Sequence, residues 1–471
     1  MQPYLYKSFD FQGDGFDLWE CFCDEPRAFF LDSSQYDPCR GRYSLIGFEP
    51  FDTFVHKGQE ALSLLKKKFL RYSGENKGQF SSPYSPLTSG IVGYLGYDYG
   101  LYHEKIRLRA EDGLGLPDAV FGFYDCVLAV DHFTQKLFIT SSGLPEKTAR
   151  LKEQRARQRL NYVVKKIEAC LHRPSAPWQR PVVEAFGQPG TFRRNFTREQ
   201  YKRAVEKALD YIGCGDIYQV NLSQRFECDC TGKRVDPRRV YQTLRNLSPV
   251  SFGGYLDCGG FSLMCNSPER FLRLENRMVQ TRPMKGTRPR GGSAVEDQKL
   301  RKELLNSAKE KAELLMITDL LRNDLGRVCD YGSVRVREMR TIEEYKYVFQ
   351  ATSTIEGNLR QDKDCFDVIR ACFPGGSVTG CPKIRAMEII EELEPTRRGI
   401  YTGTMGYIDF DGNMDFNILI RTLLAYRDKL YFQAGGGIVA DSTPEREYEE
   451  TLVKARAMQD SLGTGAYAPI P

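Results

Sequence analysis

The chain has 471 residues, 41% of them hydrophobic and 27% charged, with a formal net charge of +5. That apolar content buries a large core and excludes a disordered or fibrous chain, while so small a charge excess over this length excludes a dedicated nucleic-acid binder. The 4 histidines, His56, His103, His132 and His172, all fall in the first two fifths of the sequence, so a self-contained Ser-His-Asp or Cys-His site is excluded from Arg173 onward.

The early part of the chain reads as β-rich. Ala28 to Leu31 and Ala119 to Val130 are apolar runs bounded by turn residues. Gly90 to Tyr97 is glycine-spaced and aromatic, which suits close backbone packing. Residues 145–172 predict one long basic helix with a solvated face. The stretch 173–192 is rich in Pro and Gly and reads as a linker between an N-terminal subdomain, 1–185, and a catalytic domain, 190–465. Beyond it the patterns predict a helix at 198–212 and strands at 218–226, 251–256 and 262–265. Helices follow at 296–325, 363–373, 382–393 and 443–462, with late strands at 402–409, 417–426 and 430–434.

The 14 cysteines are dispersed and form no C-x-x-C pair, so buried thiols in a reducing cytosol are expected instead of a disulfide framework or a zinc site. The N-terminus lacks an apolar signal region, and no segment approaches the roughly 20 apolar residues of a membrane span. A cytoplasmic protein with no membrane association is the expectation.

Two helical segments carry carboxylates three apart, Glu310/Glu313 and Glu447/Glu450, which places each pair on one helix face. Like charges so placed repel, and a hard cation such as Mg²⁺ would offset that cost; an ordinary exposed acidic face is the competing reading. Gly375 to Lys383 is a glycine-rich loop running into a helix, with Pro382 in the first turn and Thr379 or Ser377 as possible caps. Such an end offers free N–H groups to a phosphate or a carboxylate, or is simply a tight turn. A second run, Gly435-Gly436-Gly437, follows a strand and permits close backbone approach to a ligand, or a bulge. Lys285 lies between Pro283 and Gly286 in an arginine-rich segment, where neighbouring cations lower a lysine pKa toward that of a nucleophile. Unaided, a solvated lysine is the commoner case.

Taken together, Ser267-Pro-Glu-Arg-Phe271, Lys285-Gly-Thr-Arg-Pro-Arg290, the run Ala312 to Arg327, Gly375 to Lys383, Arg397 to Tyr407 and Ala434 to Ser442 resemble the chorismate-utilising enzymes. That family holds the component I subunits of anthranilate and aminodeoxychorismate synthases and the isochorismate and salicylate synthases. The resemblance implies an α+β fold, two packed antiparallel β-sheets flanked by helices. It implies Mg²⁺ on Glu313, Glu450, Glu447 and Glu310. It implies substrate contacts from Arg421, Tyr401, Thr379, Gly376, Lys383 and the glycines Gly435, Gly436 and Gly437.

Three positions separate the family's reactions. Gln219 stands where the water-adding members have a basic lysine. Lys285 stands where anthranilate synthases have a small residue and aminodeoxychorismate synthases a lysine. Gln350 stands where anthranilate synthases have a histidine that helps to eliminate pyruvate. The resemblance therefore implies amination of chorismate at C4 to 4-amino-4-deoxychorismate, for p-aminobenzoate and folate, with Lys285 as nucleophile and Glu269 as acid and base. The alternative is anthranilate formation. No amidotransferase nucleophile motif is present, so a separate glutamine amidotransferase subunit, or free ammonium, is expected to supply the nitrogen. Finally, Leu31-Asp32-Ser33 resembles the tryptophan-binding segment of anthranilate synthases, which has Glu where this chain has Asp32.

Overall fold

The computed structural model describes residues 4–37, 40–73, 80, 82–171, 192–232, 235–345 and 348–462. Two antiparallel sheets dominate it, one of 12 strands, where Phe192–Arg194 pairs with Gln219–Asp229 outside the main order, and one of 10, where Arg335–Glu344 pairs with Val348–Asn358 outside it. Across the larger sheet the order is Leu5–Asp10, Lys136–Ser141, Cys126–Asp131, Tyr43–Gly47, Phe29–Asp32, Phe252–Asp257, Phe261–Ser267, Thr422–Tyr426, Lys429–Ile438, Gln219–Asp229 and Gly380–Cys381. The smaller sheet runs Met284–Pro289, Val348–Asn358, Met278–Thr281, Arg270–Glu275, Met414–Ile418, Thr404–Asp409, Gly90–Leu95, Ala119–Tyr124 and Asp52–His56. Each sheet interleaves strands from both sides of the 173–192 stretch, for Phe29–Asp32 pairs with Phe252–Asp257, and Gly90–Leu95 with Thr404–Asp409. Residues 173–191 of that stretch lie outside the described residues.

Strand alternation explains the layering. Phe29, Leu45 and Val127 of the larger sheet meet Val92, Val120 and Met405 of the smaller one in a shared core. Their neighbours Phe30, Ile46 and Leu128 point the other way and pack beside Trp19, Leu160 and Leu244 of the helices Gly15–Glu20, Ala149–Leu171 and Pro237–Leu247. On the outer side of the smaller sheet, Ile91 and Phe121 meet Leu65, Leu321 and Ile369 of the helices Ala61–Phe69, Ala308–Gly326 and Cys365–Cys372. The result is helix, sheet, sheet, helix, the α+β arrangement the sequence implied. The close packing expected of Gly90 to Tyr97 is present, since a Cβ on Gly93 would lie 2.0 Å from the Val120 carbonyl oxygen.

Three predicted elements divide in two. The run 119–130 breaks at Asp125, and its halves join different sheets. Both halves are buried, so the apolar run gave no sign of the crossing; the buried Asp125 carboxylate, which accepts from Arg155 Nε at 3.0 Å, marks it. The helix predicted over 296–325 is two, Ala294–Asn306 and Ala308–Gly326, because the Ser307 hydroxyl accepts from the Glu310 N–H and starts the second. The strand predicted over 417–426 is likewise two, and the chain changes sheets between them, with Arg421 at φ +49°.

All 13 described cysteines are free thiols. Among the described residues no helix is long and apolar enough to cross a membrane.

Candidate active site

Lys285 lies on Met284–Pro289 beside a register shift between Lys285 and Thr287, an irregularity that re-aims a side chain out of the ladder. Its Nζ donates to the Ser377 carbonyl oxygen at 3.3 Å. Burial lowers the Lys285 ammonium from its ordinary value and Lys454 adds to the effect, while Glu313, Glu269 and Glu450 oppose it. The arginines around it in sequence, expected to lower it, do not supply that effect. Arg282 is bound to Glu343, Arg288 to Glu310 and Arg290 to Asp297. The cation that matters, Lys454, lies far away in sequence, on the helix Pro444–Ser461.

Glu269 precedes the strand Arg270–Glu275 and is buried. Its carboxyl accepts from the Ser377 hydroxyl at 2.6 Å. Burial pushes it up to about 7, against the Ser377 hydrogen bond and the Lys285 charge, which both favour its ionised form. A carboxyl with that value exchanges protons readily near neutral pH.

Ser377 sits in the short 3-10 turn Gly376–Val378. Neither it nor Thr379 caps the following helix, whose N-cap Pro382 receives no side-chain hydrogen bond. The Thr379 hydroxyl instead donates to the Gly375 carbonyl oxygen at 3.0 Å and closes the turn. Gly376 lets the turn press on the helix Ala308–Gly326, since a Cβ there would lie 2.7 Å from Leu320 Cδ2. Arg398 completes the support. It is buried, donates to the carbonyls of Val378 and Asn221 and to Glu394, and lies 5.7 Å from the Tyr401 ring centroid. Burial raises the Tyr401 phenol, with Arg398 opposing. Burial lowers the Arg421 guanidinium, with the Tyr345 phenol opposing.

The glycine run does not follow a strand, as the sequence suggested, but forms the end of Lys429–Ile438, paired with Ser223, Leu222 and Asn221. That strand pairs with Thr422–Tyr426 only as far as Phe432, so its far edge is open along the glycines and alternate backbone polar groups there are free of the ladder. A Cβ on Gly437 would lie 2.4 Å from Gln219 Nε2 and 3.6 Å from Lys285 Nζ. A Cβ on Gly436 would lie 3.1 Å from both Glu447 Oε2 and Glu450 Oε1. Bare backbone here thus makes room for the nucleophile candidate and for one acidic pair. Gln350 is buried, 3.5 Å from the Thr287 hydroxyl on the strand that carries Lys285.

The acidic pairs lie on two helices, Ala308–Gly326 and Pro444–Ser461; burial raises Glu313, the Lys285 and Lys309 charges oppose that, and the charges of Glu310 and Glu450 add to it. Among the described residues no three His, Cys, Asp or Glu side chains stand in ligating geometry. Three of the four carboxylates lean on a cation instead: Glu450 accepts from Lys454 at 2.5 Å, Glu310 from Arg288 at 3.3 Å, and Glu313 is 4.0 Å from Lys309. Burial raises Glu447, while burial of Glu450 is more than offset by Lys454 and, behind it, Lys285 and Lys309. One oxygen is left over. Glu447 accepts from Ser442 through Oε1, and its buried Oε2 has no hydrogen-bond partner. Hard oxygen donors with an unsatisfied member fit a dication such as Mg²⁺.

Lys383 is occupied elsewhere. Its buried ammonium donates to Asp324 at 2.5 Å and to the Cys372 carbonyl oxygen at 3.0 Å. Lys383→Met would leave Asp324 buried without its partner and is expected to cost about 3–5 kcal/mol of stability, read as a lower urea midpoint. An unchanged midpoint would show that Lys383 is not holding the fold.

Beside the Leu-Asp-Ser segment lies a cavity of about 1000 Å³ lined by Asp32, Ser33, Tyr43, Arg270 and Arg282 among others. Asp32 does not offer its carboxylate freely to that space, since Tyr241 donates to it at 2.9 Å and Arg245 at 2.7 Å.

Fold and site together define an enzyme. Residues 27–460 match the family model for chorismate binding enzymes, and the chain belongs to that family. It is 38% identical over 437 residues to aminodeoxychorismate synthase component 1 of Bacillus subtilis, covering 90% of this chain and 89% of that one. It is 44% identical over 443 residues to anthranilate synthase component 1 of Thermus thermophilus, covering 92% and 91%. Anthranilate synthase component I from Streptococcus pneumoniae shares its fold, with a TM-score of 0.75, 32% identity and coverage of 90% and 93%.

Of the residues missed in sequence, Lys454 had a signal, standing four positions after Glu450 on one helix face. Ser377 was seen only as a cap candidate. Its contact with Glu269 spans 108 positions and has no local signature.

Proposed function

We propose that the protein is component I of an aminodeoxychorismate synthase, converting chorismate and ammonia into 4-amino-4-deoxychorismate and water. The observation that carries this reading is the junction of Lys285 and Glu269 on Ser377, an amine with a lowered pKa beside a carboxyl near 7. Glu269 protonates the leaving C4 hydroxyl as the neutral Lys285 amine bonds to C2 and the ring double bonds shift. Ammonia then bonds to C4, the double bonds shift back, the C2–N bond to Lys285 breaks, and Glu269 takes up the proton ammonia gives up. Water leaves in the first half and the enzyme is restored in the second, an amino transfer of the EC 2.6.1 kind.

Arg421, Tyr401, the glycine-run backbone and the turn closed by Thr379 hold and orient the anionic substrate. Glu313, Glu450, Glu447 and Glu310 would hold Mg²⁺, which when bound supplies charge neutralisation for a substrate carboxylate. Ammonia comes from a partner glutamine amidotransferase, the product serves p-aminobenzoate and folate synthesis, and the enzyme is cytoplasmic.

The second reading, anthranilate synthase component I, is favoured by the identity to the Thermus protein. Lys285 and Gln350 speak for the first. One assay separates them. With chorismate, Mg²⁺ and ammonium, added aminodeoxychorismate lyase should yield p-aminobenzoate and no fluorescent anthranilate. Anthranilate as the main product would overturn the proposal. The reactive form carries one proton on Glu269 and none on Lys285. Its pH profile therefore has two limbs, and the one set by Glu269 lies near pH 7.

A further inference from the structure

The proposed chemistry needs an acid and a nucleophile fixed relative to each other, yet Glu269 stands just before the strand Arg270–Glu275 and Lys285 on the strand Met284–Pro289. Ser377 touches both. Its hydroxyl donates to Glu269 Oε1 at 2.6 Å, and its carbonyl oxygen accepts from Lys285 Nζ at 3.3 Å. The residue is buried, and its turn is held from three sides: by the Thr379 hydroxyl on Gly375, by Arg398 on Val378, and by Gly376 against Leu320. Ser377 therefore has little freedom to follow either partner. Resting on the function proposed above, we infer that Ser377 is a positioning residue that acts through both groups. Its hydroxyl occupies Oε1 of Glu269, which leaves Oε2 as the atom that gives and regains the proton, and its carbonyl aims the Lys285 amine.

Two consequences distinguish this role from simple packing. The groups facing the Glu269 carboxyl are the Ser377 hydroxyl and the Lys285 ammonium, and both favour its charged form. Removing the hydroxyl raises the Glu269 pKa, so the limb near pH 7 moves to higher pH. The hydroxyl also orients the proton-bearing oxygen without holding substrate, so its loss falls on kcat and not on KM.

The test compares Ser377→Ala, Ser377→Thr and Ser377→Cys in the full chain, supplied with chorismate, Mg²⁺ and ammonium. Ser377→Ala should lower kcat by about 10- to 100-fold with KM for chorismate within about twofold. Its Glu269 limb should move up by about one pH unit. Ser377→Thr keeps a hydroxyl and should return both kcat and the limb toward the parent. A folded Ser377→Ala with parental kcat and limb overturns the inference, and so does a folded Ser377→Thr as impaired as Ser377→Ala. If the alanine variant does not fold, Ser377→Cys replaces it: the weaker thiol donor should give a smaller upward shift, and an unmoved limb overturns the inference. Product identity keeps the two ideas apart. Anthranilate from the parent enzyme refutes C4 amination, while a Glu269 limb unmoved in Ser377→Ala, or in Ser377→Cys where the alanine variant does not fold, refutes the positioning role.

Discussion

Lys285→Ala is expected to reduce C4 amination on the order of 10⁴-fold or more, the scale on which loss of a covalent nucleophile is felt. Alanine removes the atom that bonds to the substrate, and no other described amine stands ready to replace it. Lys454, the neighbouring cation, is committed to Glu450 at 2.5 Å and to the Gly435 carbonyl oxygen at 3.1 Å. The fold should survive. Lys285 is half-buried, its hydrogen bond goes to a carbonyl within an otherwise held turn, and no carboxylate is left alone by its removal. Chorismate binding should therefore persist while turnover fails. A folded Lys285→Ala enzyme that aminates at the parental rate would remove the nucleophile from the mechanism.

Glu269→Gln is expected to cost about 10²- to 10⁴-fold in kcat, the usual contribution of a positioned acid and base. Glutamine preserves shape and can still accept from the Ser377 hydroxyl, so the loss isolates the proton. The sign of the pH effect follows from burial. Burial raises the carboxyl to about 7, so the parent keeps a proton there for the first half of the reaction and releases it easily for the second. With glutamine the limb near pH 7 should vanish from the residual activity. A Glu269→Gln profile that retains that limb would assign it to another group.

Much of the site was legible in the sequence because it is written in local patterns. The two E-x-x-E pairs survive translation into structure since a helix keeps residues three apart on one face, and Gly436 reads as a cleared space beside Glu447 and Glu450. Lys285 was visible, but the reason given for its lowered pKa was not the right one. The flanking arginines are taken up by Glu343, Glu310 and Asp297, whereas burial and Lys454 come from tertiary packing. Lys383 illustrates the reverse, for the resemblance implies a substrate contact there, yet Asp324, 59 positions away, takes its charge.

The fold was legible in its layers and less so in its connections. Apolar runs predicted strands at 119–130 and 417–426, but periodicity does not record a change of sheet. The chain makes that change at Asp125 and again near Arg421, and the second crossing places a half-buried guanidinium in an otherwise apolar stretch. At both crossings a charged residue interrupts the apolar pattern where one strand ends and the next begins.

The central claim is that Lys285 forms a bond to the substrate. Intact-mass spectrometry of the enzyme quenched after mixing with chorismate and Mg²⁺, with ammonium withheld, detects that bond. The expected result is an added mass equal to chorismate less water, located on Lys285 by peptide mapping, absent from Lys285→Ala and discharged by ammonium. An enzyme that makes 4-amino-4-deoxychorismate while no such mass appears, or carries it on a residue other than Lys285, would show that Lys285 is not the nucleophile.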